Sequence, residues 1–395
     1  MKITKFLLLN QMAGPLFREL AEDLADAMPE GCILKTGHPD TLRLGSQTIK
    51  LKIDSAPAYN RKNKITRVLS WLHYAVISLW SMLRADKNTA LLIVSNPPLL
   101  GPLAWLVNCI RNTPYVVLVY DMHPDTMVSF GVLSEDSIIT RLWRKINRTV
   151  WEKAAAVYTI GPVMAEKLAS QFDPLCTPLG KVGIVPPWAD TQRIKPVSKL
   201  VNPLAEEFGQ AGVITVLYSG NMGISHDIDS MLEAVRLLRS RQDIKFLFIG
   251  EGAKWQDACD FRDKHRLNNL DVLPFQPEEK LPYTMALGDI ALVALDKGAE
   301  GLMVPSKMYY YLAAGSAVLG ICHGRNDVSE TLNKADCGIT VTPGMPNELV
   351  RTISLLVDDP EKLCLLRKKA RRAAVNSYSR AVCTYLFINS LPLER

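Results

Sequence analysis

The sequence predicts an α/β protein of two Rossmann-like domains, each with a parallel sheet. Short, continuous apolar runs alternate with helical stretches along the chain, the pattern of strands buried on both faces and joined by crossover helices. A chain of 395 residues exceeds what one ordinary core organises and suits two domains. Two short segments, Ser219-Gly220-Asn221-Met222-Gly223 and Pro305-Ser306-Lys307, put glycines or a cation where a strand ends or a helix begins. Those are the places at which open α/β sheets receive ligands.

Lys5 to Leu9 reads as the first strand, Gln11 to Gly14 as a loop, and Pro15 to Ala27 as a helix with proline at its start. No cleavage-like site follows the apolar run Ile3 to Leu9, so it reads better as a strand than as a secretory signal. Gly14 either lets a phosphate come close to the backbone or simply makes a tight turn into the helix with Pro15. Leu91 to Ser95 and Tyr115 to Tyr120 are apolar runs of the buried parallel kind. The second leads into Asp121-Met122-His123-Pro124-Asp125, which puts Asp121 and His123 at the carboxyl end of a strand. A long helix is expected from Ile138 to Ala155 and a short strand from Ala156 to Ile160.

Val185-Pro186-Pro187-Trp188-Ala189-Asp190 carries two prolines that restrict a crossing segment. The first domain is therefore read as residues 1–187, the second as 188–379, with a helical C-terminal piece over 380–395. In the second domain Val216-Leu217-Tyr218 is a strand that runs into the glycine loop, followed by a helix from Asp229 to Leu238. Phe246 to Ile249 with Gly250-Glu251-Gly252 repeats this strand-to-glycine pattern, and Val272 to Phe275 and Asp289 to Val293 read as two more strands. Asp227-Ile228-Asp229 spells an Asp-x-Asp metal pattern but stands at a helix start, where acids cap and complement the dipole. It reads as structural, and no metal is expected.

Pro305-Ser306-Lys307 opens an apolar, Ala-rich helix that ends at Gly315. Ser306 is either an ordinary cap or, with Lys307, part of an anion site. A cation at a helix N-terminus is unfavourable unless an anion is bound, and a diphosphate would supply one. The run Arg367, Lys368, Lys369, Arg371, Arg372 is expected to be a solvated helix face.

In order, Tyr-Ser-Gly-Asn-Met-Gly (218–223), Phe-Ile-Gly-Glu-Gly (248–252), Leu-Pro-Phe-Gln-Pro (273–277), Gly-Asp-Ile-Ala-Leu (288–292), Pro-Ser-Lys (305–307) with Ala-Ala-Gly (313–315), and Cys-Gly-Ile-Thr-Val (337–341) resemble the retaining glycosyltransferases of family 4. The resemblance is best over residues 213–345 and is to the subgroup that builds bacterial O-antigen, capsule and exopolysaccharide. It implies the GT-B fold, with two domains facing across a cleft, the first binding the acceptor and the second a nucleotide sugar, and a last helix crossing back to the first domain. Donor-binding positions implied by it are Gly14, Gly220, Asn221, Gly223, Gly250, Phe275, Ser306, Lys307 and Tyr310. Lys307, His123, Asp121 and Glu300 are the catalytic candidates, with Tyr120 as an alternative for the histidine that the family carries near that strand end. Glu300 would contact the transferred sugar or support its loop. Two departures stand out: the family's pair of glutamates falls on Leu302 and Tyr310, and its Arg and Lys after the first glycine loop fall on Asn221 and His226.

The net charge of +6 is unevenly placed. Residues 1–187 hold 21 Lys and Arg against 15 Asp and Glu, leaving 25 against 25 in the remainder of the 46 and 40. Arg61, Lys62, Lys64 and Arg67 precede the apolar stretch Val68 to Leu83, and Arg84 and Lys87 follow it. That stretch is shorter than the roughly 20 residues needed to span a bilayer. It suits either a helix lying in an anionic membrane interface or a buried Rossmann helix. The eight cysteines form no Cys-x-x-Cys pair and look like reduced thiols of a cytoplasmic protein.

These readings converge on a cytoplasmic transferase, peripheral on the inner face of the cytoplasmic membrane. Its expected partners are a nucleotide sugar, UDP-sugar favoured on the resemblance, and a lipid-linked glycan acceptor. No cofactor and no nucleic acid are expected. A UDP-sugar 2-epimerase of the same fold and a non-catalytic nucleotide-sugar-binding scaffold are the alternatives.

Overall fold

The computed structural model describes residues 2–60, 63–173, 182–223, 226–295 and 297–392. Arg61 and Lys62, expected in the basic flank of the 68–83 stretch, lie outside the described residues, as does the side chain of Lys64. The chain divides into two compact units: Met1–Pro186 with Gly301–Met303 and Cys383–Arg395, and Pro187–Glu300 with Val304–Val382.

The first unit runs β1 (Lys5–Leu9), α1 (Pro15–Ala27), β2 (Cys32–Thr36), α2 (Pro39–Leu44), β3 (Leu51–Ser55), α3 (Lys64–Arg84), β4 (Thr89–Val94), α4 (Leu100–Arg111), β5 (Tyr115–Val119), α5 (Asp125–Ser129), α6 (Ile138–Lys153), β6 (Ala156–Thr159), α7 (Pro162–Ala169) and β7 (Val182–Ile184). Its strands form one parallel sheet in the order β3-β2-β1-β4-β5-β6-β7. β4 and β5 are buried along their whole length, as expected for strands covered on both faces. The strand order reverses between β1 and β4, so the loops after these two strands flank a topological switch point.

α1 forms because Phe17, Leu20, Ala21 and Leu24 repeat at helical spacing and are all buried, behind a proline at the first position. α3 is fixed at its start by a capping box between Asn63 and Thr66. It buries only one face, through Tyr74, Ala75, Ser78 and Met82. The Tyr74 hydroxyl donates to the Lys35 carbonyl at 2.8 Å and ties the helix to β2. No helix among the described residues is long and apolar enough to cross a membrane.

The second unit runs α8 (Pro203–Glu207), β8 (Ile214–Ser219), α9 (Ile228–Leu237), β9 (Ile244–Ile249), α10 (Trp255–His265), β10 (Leu270–Leu273), α11 (Leu281–Leu287), β11 (Ile290–Ala294), α12 (Lys307–Ala314), β12 (Ala317–Ile321), α13 (Asp327–Ala335), β13 (Gly338–Val341), α14 (Pro346–Val357) and α15 (Pro360–Ser377). α16 (Arg380–Ser390) is the last helix among the described residues. From Cys383 onward it belongs to the first unit, where Phe387 meets the Tyr158 ring edge-on at 4.8 Å. The second sheet is parallel, with the order β10-β9-β8-β11-β12-β13 and a switch point between β8 and β11. Its core includes Tyr218, Phe246 and Phe248, all fully buried against Met231 and Val235 of α9.

Several expectations change. The run Val272 to Phe275 stops being strand at Leu273, because Pro274 has no N–H to continue a ladder. The helix expected to reach Ala155 ends at Lys153, with Ala154 already extended. The helix expected from Asp229 begins at Ile228, with Asp227 as its cap. The basic run 367–372 is not simply a solvated face. Arg367 donates to Asp289 and to the Gly315 carbonyl, Arg371 donates to the carbonyls of Thr191, Ile194 and Ala313, and Lys369 pairs with Asp336.

Candidate nucleotide-binding site

In the second unit the two sequence motifs meet at the switch point. The loop after β8 supplies Gly220 to Gly223, and α12, which follows β11, supplies Ser306, Lys307 and Tyr310. Lys307 reaches back over the loop: its Nζ donates to the Tyr218 hydroxyl at 2.9 Å and lies 4.0 Å from the centre of that ring. A Cβ built on Gly220 would already touch the Lys307 Cδ and Nζ at 3.4 Å. Glycine at 220 thus leaves room for the ammonium to cross.

Tyr218 is itself held. Its hydroxyl donates to the Asn221 carbonyl at 2.7 Å and lies 3.1 Å from His226 Nδ1. His226 in turn lies 2.9 Å from the same Asn221 carbonyl. Lys254 donates to the His226 carbonyl at 3.0 Å and pairs with Asp229 at 2.6 Å. The result is a fixed mount for one cation beside a glycine loop, a buried tyrosine whose hydroxyl finds polar partners as such groups require.

Tyr311 clamps the end of β8 from the other side. Its hydroxyl receives the Ser219 N–H at 2.7 Å and donates to the Ser219 carbonyl at 3.0 Å. Complete burial pushes this phenol well above its ordinary pKa, so it stays neutral and keeps both roles.

The amides of Gly220 and Met222 do not point to a ligand, since they donate to the carbonyls of Ile249 at 2.9 Å and Glu251 at 2.7 Å. They lock the loop after β8 to the loop after β9. Gly250 makes this possible, because a Cβ there would lie 1.9 Å from the Gly220 carbonyl oxygen and the residue has φ +158°. The glycines therefore act through close packing and room for Lys307.

Ser306 is the N-cap of α12 but makes no side-chain cap hydrogen bond, and it is exposed. Tyr310, four positions on, shares its helix face and is half-buried. Glu300 folds onto its own loop, accepting the Gly298 N–H at 2.7 Å. Phe275 stands exposed just past β10, one strand beyond β9. Asp227 accepts the N–H groups of Ser230 at 3.2 Å and Gly344 at 2.7 Å. Both acids of the Asp-x-Asp pattern thus have structural partners.

The first unit holds Gly14, Asp121 and His123. Gly14 caps α1 at φ −74°, a conformation any residue adopts, with His38 Nε2 3.8 Å from a built Cβ. His123 and Asp121 follow β5 and line a cavity of about 30 Å³ with Ser95, Trp143 and Asn147. His123 Nδ1 lies 2.8 Å from the Thr126 hydroxyl. Burial pulls the imidazole pKa down, opposed by Asp121, and raises the Asp121 carboxyl, opposed by His123. Tyr120 is half-buried, and desolvation raises its phenol pKa, so it stays neutral.

Sequence reasoning missed Tyr218, Tyr311 and Lys254. Tyr218 was legible only as a strand residue. The signal available was a tyrosine two positions before a glycine loop, whose hydroxyl needs a partner when its ring is buried.

Residues 206–374 match the family described as glycosyl transferases group 1. Probable glycosyltransferase WbjE of Pseudomonas aeruginosa is 28% identical over 302 residues, covering 75% of this chain and 73% of that protein. The crystal structure of Anabaena Alr3699/HepE in complex with UDP is similar with a TM-score of 0.72 at 15% identity, over 99% of each chain, and the same protein has been crystallised with UDP-glucose. WaaG, a glycosyltransferase involved in lipopolysaccharide biosynthesis, is similar with a TM-score of 0.67 at 14% identity, over 98% of this chain and 99% of that one. The fold is GT-B.

Proposed function

We propose that this protein is a retaining glycosyltransferase that moves a sugar from a UDP-sugar to a lipid-linked glycan in the assembly of a bacterial surface polysaccharide. It works on the inner face of the cytoplasmic membrane and needs no metal. The observation that carries this reading is the Lys307 ammonium, mounted on the Tyr218 hydroxyl over Gly220 beside the start of α12. Breaking the bond between the sugar and the diphosphate builds negative charge on the leaving oxygens, and a preorganised cation stabilises that charge most where water is scarce. Lys307 supplies the cation and Ser306 a hydroxyl at the same helix start. HepE, crystallised with UDP and with UDP-glucose, supports the choice of nucleotide, and WaaG, involved in lipopolysaccharide biosynthesis, supports the class of product. Asp121 and His123, at the carboxyl end of the first sheet, are assigned to the acceptor.

Incubating the purified protein with a panel of nucleotide sugars and a bacterial lipid extract tests the reading. Transfer of labelled sugar into the lipid phase from a UDP-sugar is the expected result. An epimerised free nucleotide sugar formed without acceptor, or UDP binding with no turnover on any acceptor, would overturn it.

A further inference from the structure

We infer that the first unit carries a docking face for an anionic phospholipid bilayer, built from three adjacent helices and not from the 68–83 stretch alone. This deepens the membrane-side part of the proposed function. α4 packs against both α3 and α6, and the three cover one face of the sheet. α1 lies on the other, because β1 to β2 and β4 to β5 step in opposite directions and right-handed crossovers then put their helices on opposite faces.

The outer surface of this helix layer is apolar. On the first half of α3, Ile65, Val68, Leu69 and Leu72 are exposed, Ile65 to 72%. The first turns of α6 expose Ile138, Ile139 and Leu142, Ile138 to 82%. Between them α4 exposes Leu106 and Ile110. Exposed apolar side chains gathered on one helix layer mark an interaction site.

Charge identifies the partner. α3, α4 and α6 contain three, one and five Lys or Arg, nine together, against Glu152 as their single acid. α1, on the opposite face, carries Arg18 against Glu19, Glu22, Asp23 and Asp26. Arg144 is already paired with Asp125 and Glu135, while Arg141, Lys145 and Arg148 stand exposed beside the apolar side chains of α6, a combination that suits insertion at the acyl boundary under anionic headgroups. Both α3 and α6 begin at the carboxyl end of the sheet, the end that also bears Asp121 and His123. Docking through their first turns therefore sets that end at headgroup level, where a lipid-linked acceptor presents its sugar.

The test is flotation of the full chain with phosphatidylglycerol–phosphatidylethanolamine vesicles and, separately, with phosphatidylcholine vesicles. Strong binding to the first, little to the second, and weakening with salt are expected. Arg141→Gln with Lys145→Gln and Arg148→Gln should lower the partition coefficient by about 10²-fold, the scale for three surface bases. Ile138→Ser with Ile139→Ser and Leu142→Ser should lower it by at least about tenfold. UDP binding, read by calorimetry, should be unchanged in both. Should the serine variant misfold, Ile139→Trp gives a second measurement, with its emission expected to shift to the blue and to be quenched by brominated phosphatidylglycerol.

Equal binding to phosphatidylcholine, unchanged partition of the α6 variants, or an unquenched tryptophan at 139 would overturn the inference. So would self-association without vesicles that the serine variant abolishes, since the face would then join copies of the chain. Vesicle binding without any UDP binding would leave the docking face standing and remove the transferase reading instead.

Discussion

Lys307 and Tyr218 form one hydrogen-bonded unit at the scale of residues. Lys307→Ala should lower turnover by roughly 10²-fold or more, the scale for removing one electrostatic stabiliser, while circular dichroism stays unchanged. A near-normal rate would take Lys307 out of the site. Tyr218→Phe keeps the buried ring but deletes the hydroxyl that receives the ammonium at 2.9 Å. A hydrogen bond to a charged group contributes on the order of 1.5–3 kcal/mol, so kcat should fall about tenfold or more with little change in donor KM. A rise in KM at constant kcat would mean that the hydroxyl serves ground-state binding. His123 gives a pH signature of a different kind. Its pKa is lowered by burial from 6.5, so below pH 6.5 the unfolded chain binds protons that the folded one refuses, and stability is lost as pH falls through that window. His123→Gln should therefore lose less melting temperature than the wild type between pH 7 and pH 5.5. Equal losses would assign the acid sensitivity to other groups.

Between elements, Asp289 ties three segments together ahead of β11. It accepts the Thr215 N–H at 2.9 Å, Lys199 Nζ at 2.5 Å and Arg367 at 2.7 Å, so the start of β8, the segment before α8 and α15 all converge on one carboxylate. Burial pulls the Lys199 pKa down despite this partner. Asp289→Ala leaves a largely buried ammonium uncompensated, and removing one member of such a pair costs about 3–5 kcal/mol. Arg367 is a third exposed, which puts the expected loss at the lower end, near 3 kcal/mol. Urea unfolding of the second unit reads this, and a midpoint unchanged from wild type would refute it. The same residues show why part of the fold was legible and part was not. β1, α1, β8, β9 and β11 are continuous apolar runs or clean 3.6-residue patterns and read correctly to within one or two residues. β2 and β3 were not identified, because Lys35, Lys52 and Asp54 sit within them and mask the apolar pattern. Arg367 and Arg371 looked solvated because their partners, Asp289, Gly315 and Thr191, are at least 50 positions away in the chain.

Across the whole molecule, two sheets of the same winding divide the work unequally. The motifs whose order and spacing suggest a ligand site fall in the second unit, and the structure brings Lys307 and Gly250 against Gly220 there. The first unit's site depends on which exposed faces three separate helices share, and no local spacing encodes that. A ligand that binds only the folded second unit stabilises it by mass action, about 2.7 kcal/mol at a hundredfold excess over Kd. For a unit of this size that corresponds to a rise of roughly 5–10 °C in melting temperature. UDP should produce that shift and uridine much less, because the proposed reading has Lys307 and Ser306 engage the diphosphate. Lys307→Ala should remove most of the difference. The shift should also persist in excess EDTA. Asp227 is occupied by the N–H groups of Ser230 and Gly344, and Asp229 by Lys254, so the diphosphate charge is assigned to the Lys307 ammonium. A shift that vanished on chelation and returned with Mn²⁺ would mean that these two carboxylates leave their partners to hold an ion against the phosphates. Lys307 would then be a support for the loop and not the counter-charge of the leaving group.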